Sequence, residues 1–230
     1  MSQTVEPEQG APHEPHPPHE PLMQQAASVQ AVLPVPPFAD PTALGLIGLA
    51  VGCAALVPIA FGWSVTPAAL HTAAVFCLAF GGGGQLIAGL INLANKNLYG
   101  GTLFTAFSFN WIINWWALEQ LAAGQVPDHA VVLAVDVCFL AVFLVMTWGF
   151  GYFSKVLFVF LADIDLLFIA RILKGTLAVP GMDLVIACAT VALALIALWI
   201  AFALIINPVA GRNVFPVSGP MWQPSGSAQP

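Results

Sequence analysis

The sequence predicts an all-α integral membrane protein, a bundle of six transmembrane helices. Three observations lead there. Of the 230 residues, 59% are hydrophobic and only 7% are charged, against roughly 25% charged in an ordinary soluble domain. From Pro41 onward, apolar runs recur that are long enough to cross a hydrocarbon core, which takes roughly 20 helical residues. The runs are unbroken rather than alternating, so their backbones are satisfied within helices and not within an outer-membrane barrel.

Residues 1–37, MSQTVEPEQGAPHEPHPPHEPLMQQAASVQAVLPVPP, are rich in Pro, Glu and Gln and predict a disordered tail. Its first residues have neither a basic n-region nor an apolar h-region, so insertion is expected through the first helix. His13, His16 and His19 sit among prolines with no cysteine beside them and read as polar tail rather than a metal site. Glu6, Glu8, Glu14 and Glu20 carry part of the net charge of −6, and no basic surface is left for nucleic acid.

Six spans follow within residues 38–210, at 42–62, 69–93, 102–123, 130–150, 155–174 and 184–206, and residues 211–230 form a C-terminal tail. Turn-forming stretches separate them: GWSVTP, NLANKNLYGG, AAGQVPDH, GFGYFSK and AVPGMD. With an even number of spans both termini share a side. Placing them in the cytoplasm puts Lys96, Lys155 and Arg212 on the inner side and leaves Lys174 outside. Cys53, Cys77, Cys138 and Cys188 lie inside apolar runs without metal-binding spacing, so they read as reduced packing residues, and no cofactor is implied.

Three spans carry polar residues at membrane depth. In the second, Gly81–Gly84 precede Gln85. Glycines let a neighbouring helix approach or the backbone open toward a cavity, and Gln85 brings a donor and an acceptor. In the third, Phe107, Asn110 and Asn114 fall within about 60° of helix surface, with Trp111 and Trp115 expected on a different face. Two amides on one face suit either a hydrated path for a small polar solute or interhelical bonding. Trp115 and Trp116 suit an interfacial aromatic belt.

The fifth span, VLFVFLADIDLLFIARILKG, holds Asp163 and Asp165, about 200° apart on a helix, so at most one faces a given pore. Arg171 lies about 12 Å along the axis from Asp163, too far to pair with it, and is expected to snorkel toward the interface. Asp136 is a third acid at depth, in the fourth span. A charge at the bilayer centre costs about 2.5–3.5 kcal/mol on insertion scales, so these carboxylates should face protein or water. They are candidates for a proton or ion relay, or for structural contacts between helices or subunits.

Four blocks in order resemble the acetate uptake transporter family, which includes bacterial succinate–acetate permeases and fungal relatives. DPTALGL at 40–46 is similar to the family's NPxPLGL, and GGGGQLIAGL at 81–90 to its glycine-rich segment. KNLYGGTLFTAFSFNW at 96–111 resembles GNTFGxTAFxSYGxFW, and GRNVFPVS at 211–218 resembles GRTVLPIG. Asp40, Ala43 and Phe107 depart from the family's Asn, Pro and Tyr, and the acidic fifth span departs from its apolar counterpart.

The resemblance implies a homo-hexamer of six-helix protomers in the plasma or inner membrane, each conducting acetate or a similar small monocarboxylate. It places the substrate-lining positions at Leu44, Gly45 and Gln85, to which the amide face adds Asn110 and Asn114. It places an apolar constriction at Leu49, Phe107 and Ile164. Transport with a proton, as a symporter, is one expectation. A channel for a small neutral or cationic solute such as urea, an amide or ammonium is the alternative. An enzyme is disfavoured, because the GxGD of intramembrane aspartyl proteases and the GxSxG of serine hydrolases are both absent.

Overall fold

A computed structural model describes residues 37–222. The N-terminal tail with His13, His16 and His19, and residues 223–230, lie outside the described residues. Among the described residues every regular element is helical: α1 (Thr42–Ala60), α2 (Pro67–Phe76), a π-helical segment (Cys77–Gly84), α3 (Gln85–Ala94), α4 (Leu98–Ala122), α5 (His129–Phe150), α6 (Lys155–Leu177) and α7 (Met182–Ala210). The second rod is α2, the π segment and α3 in sequence, an unbroken stretch from Pro67 to Ala94. Boundaries fall close to the expected ones, the widest differences being Leu98 against 102 and Ala210 against 206.

Local chemistry sets the helix starts. The Thr66 hydroxyl accepts from the Ala69 N–H at 3.2 Å ahead of Pro67, and the Asp128 carboxylate accepts from the Val131 N–H at 2.9 Å. Both satisfy first-turn donors that have no partner inside the helix. Gly124, at φ +74°, follows α4 in the left-handed conformation that a helix C-terminus favours.

Four stretches are long and apolar enough to cross a membrane: Thr42–Ala60, Pro67–Ala94, His129–Phe150 and Met182–Ala210. The chain is therefore a multi-pass membrane protein. Exposed Val75, Ile87, Leu90, Val131, Val145 and Leu195 on these helices form the kind of surface that lipid covers.

α1 packs most extensively on α7 and the π segment, α3 on α4, and α5 on α6. Glycine permits the tightest crossings. A Cβ on Gly48 would lie 2.4 Å from the Phe80 carbonyl oxygen, and one on Gly81 would lie 2.4 Å from the Trp111 ring. The four-glycine run thus serves close approach, and its π-helical turn is a departure from α geometry of the kind often found at functional sites.

The bundle has two ends. At one, Phe38 and Asn95 exchange two hydrogen bonds of 3.1 Å. Lys96, Lys155 and Arg212 also lie there, at the ends of α3, α6 and α7. Residues 211–222 fold back over this end. Asn207 Nδ2 donates to the Phe215 carbonyl at 2.8 Å, Trp199 Nε1 to the Pro216 carbonyl at 3.1 Å, and the Lys155 N–H to the Gly219 carbonyl at 3.0 Å. The other end holds the 61–66, 123–128 and 178–181 connections, a His71–Glu119 contact of 2.8 Å and the Lys174–Asp183 pair.

Candidate functional site

A cavity of about 290 Å³ lies between α1, α4, α6 and α7, at the small end of the roughly 300–1,000 Å³ usual for small-molecule sites. Its walls are mostly apolar, with Cys53, Leu56, Leu167 and Leu193 among them, and its polar groups are Asn110, Asn114, Thr190 and Arg171. At 1.5 Å per helical residue, Arg171, Asn114 and Thr190 lie about 9–12 Å from the end that carries the 61–66 connection. Phe107 and Ile164 lie deeper, about 20 Å in, and close the cavity toward mid-bundle.

Phe107 is pinned by aromatic packing. Its ring meets Phe143 edge-on at 5.2 Å and Trp111 edge-on at 6.2 Å. Phe143 stacks with Phe168 at 5.6 Å, and Phe139 stacks with both. The floor is thus an apolar collar rather than a row of hydrogen-bond donors.

The structure brings Phe107, Ile164, Asn110 and Asn114 together around this cavity. Leu49 and Gln85 are buried further in, each 1% exposed, and do not line it. Gln85 Oε1 finds no protein donor among the described residues. It lies one helical turn from Gly81 and from Gly89, which press against Trp111 and Thr105 of α4. Gly45 is buried against Phe104 and Ala88, whereas Leu44 is 46% exposed and stands apart from the other sites.

Two expectations need correcting. Trp111 does not point away from the amide face; it is buried and lines the cavity. It follows Phe107 by four residues, only about 40° round the helix, and Gly52 and Gly81 leave room for its ring. Its Nε1–H has no protein acceptor among the described residues.

Nor does Arg171 snorkel. It lines the cavity and pairs with Asp136 Oδ1 at 2.9 Å. It follows Ile164 by seven residues, so the two share a helix face to within about 20°. Sequence offered a signal for the pair, since α5 and α6 are antiparallel and both charges lie about 9–10 Å from the same end.

The two aspartates of α6 flank Ile164 by about 100° on either side, and neither lines the cavity. Asp165 is buried against α5, where Thr147 Oγ1 donates to its Oδ2 at 2.6 Å. Its Oδ1 and the Oδ2 of Asp163 are buried without a protein donor among the described residues. Trp115 packs partly buried against the core and Trp116 is exposed.

No family model matches the sequence, and no curated protein matches it. Among solved structures, the bacterial acetate channel SatP matches with a TM-score of 0.71 at 20% sequence identity, covering 79% of this chain and 99% of that one. The chain shares the fold of that channel.

Proposed function

We propose that the protein is a channel or transporter for acetate or similar small monocarboxylates and a member of the acetate uptake transporter family. The observation that carries this reading is a small amide-lined vestibule closed by Phe107 and Ile164, within a fold shared with an acetate channel. All six rods cross the membrane in this reading. α4 and α6 are about 35 Å long, and their polar residues face the cavity or neighbouring helices. Six protomers form a ring in the cell membrane, with both termini in the cytoplasm, so that the vestibule opens outward.

A carboxylate entering the vestibule exchanges water for Asn110 and Asn114, amides that donate hydrogen bonds without trapping a charge. It then meets the collar of Phe107 and Ile164, with Leu49 beyond. There the solute loses hydration, which favours a small solute and, for an acid, the protonated neutral form. Gln85, with a free acceptor oxygen, and Gly45 serve the solute on the inner side of the collar. Among the three candidate relay acids, Asp136 is engaged by Arg171 and Asp165 by Thr147. Asp163 Oδ2 has no partner among the described residues, and in this reading Asp163 is the proton carrier.

Labelled acetate, urea and ammonium uptake into proteoliposomes tests the reading. Acetate uptake well above that of protein-free vesicles is expected. Urea uptake without acetate uptake would replace the reading with the amide-channel alternative, which the paired asparagines favour.

A further inference from the structure

We propose that Arg171 makes the outer vestibule an anion-selecting subsite for small carboxylates, with the amide of Asn114 as its neutral hydrogen-bond donor. The proposal rests on the acetate reading and adds Arg171 to the residues that reading uses.

Arg171 and Asp136 are neutral in sum but unequally placed. The Arg171 side chain is 31% exposed and lines the cavity, while Asp136 is 8% exposed and stays behind it. The arginine therefore borders the cavity while its counter-charge does not. The guanidinium carbon also lies 5.6 Å from the Phe168 ring centroid, a cation–π contact. Phe168 is itself held in the stack of Phe139 and Phe143. Two contacts thus hold the guanidinium before a solute arrives.

Asp136 Oδ1 engages one terminal nitrogen of that fork. A guanidinium carries five N–H donors in a planar array that matches a carboxylate. Asn114 and Thr190 lie at nearly the same depth as Arg171 and line the same cavity. Thr190 Oγ1 gives its proton to the Ile186 carbonyl at 2.8 Å, so the amide of Asn114 is the neutral donor at this level. One cation among neutral groups concentrates anions at the mouth, while the uncharged collar deeper in keeps them from being held.

Acetate and acetamide have nearly the same shape and differ in charge, so the ratio of their fluxes into vesicles holding the full chain isolates the effect. Arg171→Gln should lower the acetate-to-acetamide ratio about tenfold, the low end of what field focusing in a charged cleft provides. Its acetamide flux, unchanged, shows that the channel still assembles. Arg171→Lys should keep most of the ratio, and Asp136→Asn, which removes the counter-charge, should raise it. An unchanged ratio in Arg171→Gln overturns the proposal. So does an equal loss of both solutes in the Gln and Lys variants, since the arginine would then be structural. If the unaltered chain passes acetamide alone or neither solute, the acetate reading itself fails and the subsite falls with it.

Discussion

Replacing Phe107 with alanine removes most of the collar and separates packing from conduction. The ring is almost fully buried and makes edge-to-face pairs with Phe143 and Trp111, each worth about 0.5–1.5 kcal/mol beyond its area. A Phe→Ala truncation costs about 3–5 kcal/mol in a sealed core. Here the void joins an existing cavity and can hydrate, so a loss near 3 kcal/mol is expected. The same opening lets water follow the solute through. One restored hydrogen bond to the solute is worth up to about 1.5 kcal/mol, roughly tenfold in rate. Acetate flux per folded protomer, with folding checked by size-exclusion chromatography, should rise about tenfold, and longer monocarboxylates should begin to pass. A folded variant that conducts acetate at the original rate refutes the placement of the path beside Phe107.

Other changes test the supports of the site. Gly48→Ala sets a methyl group 2.4 Å from the Phe80 carbonyl oxygen and forces α1 from the π segment; overpacking of this kind costs about 1–3 kcal/mol. Its thermal unfolding in detergent should fall by several degrees. Thr147→Val leaves buried Asp165 without its hydroxyl donor and should cost about 1.5–3 kcal/mol in the same assay, with little effect on solute preference. Asp163→Asn should flatten the pH dependence of acetate uptake if this acid carries the proton, whereas Asp165→Asn should leave the dependence in place.

The helices were legible because a membrane leaves a chain few options. Thr42–Ala60 is almost wholly apolar and His129–Phe150 is interrupted at depth only by Asp136 and Thr147, so length and composition locate them. The π segment was not legible, since CLAFGGGG adopts it where Gly48 and Trp111 press on Phe80 and Gly81, contacts fixed by distant parts of the chain. Phe107, Asn110 and Asn114 line one cavity, but spacing alone draws their face too narrow and leaves out Trp111, which stands one turn from Phe107. The acids of α6 drew notice through their cost in lipid. Helical arithmetic kept both from sharing a pore, but only the neighbouring helix identifies Thr147 as the partner of Asp165. Spacing along one helix compares Arg171 only with Asp163, whereas its partner Asp136 lies across the contact of α5 with α6.

The claim that solute passes through this vestibule is tested most directly by blocking it. Asn114→Cys, made together with Cys53→Ala because Cys53 lines the same cavity, places a thiol on the cavity wall, and a membrane-impermeant thiol reagent can then be added during acetate flux, with the Cys53→Ala chain as control for Cys77, Cys138 and Cys188. The account predicts that modification of residue 114, followed by mass spectrometry, stops acetate flux in proportion to the fraction modified and leaves the control unaffected. Full modification at residue 114 with undiminished acetate flux would contradict it.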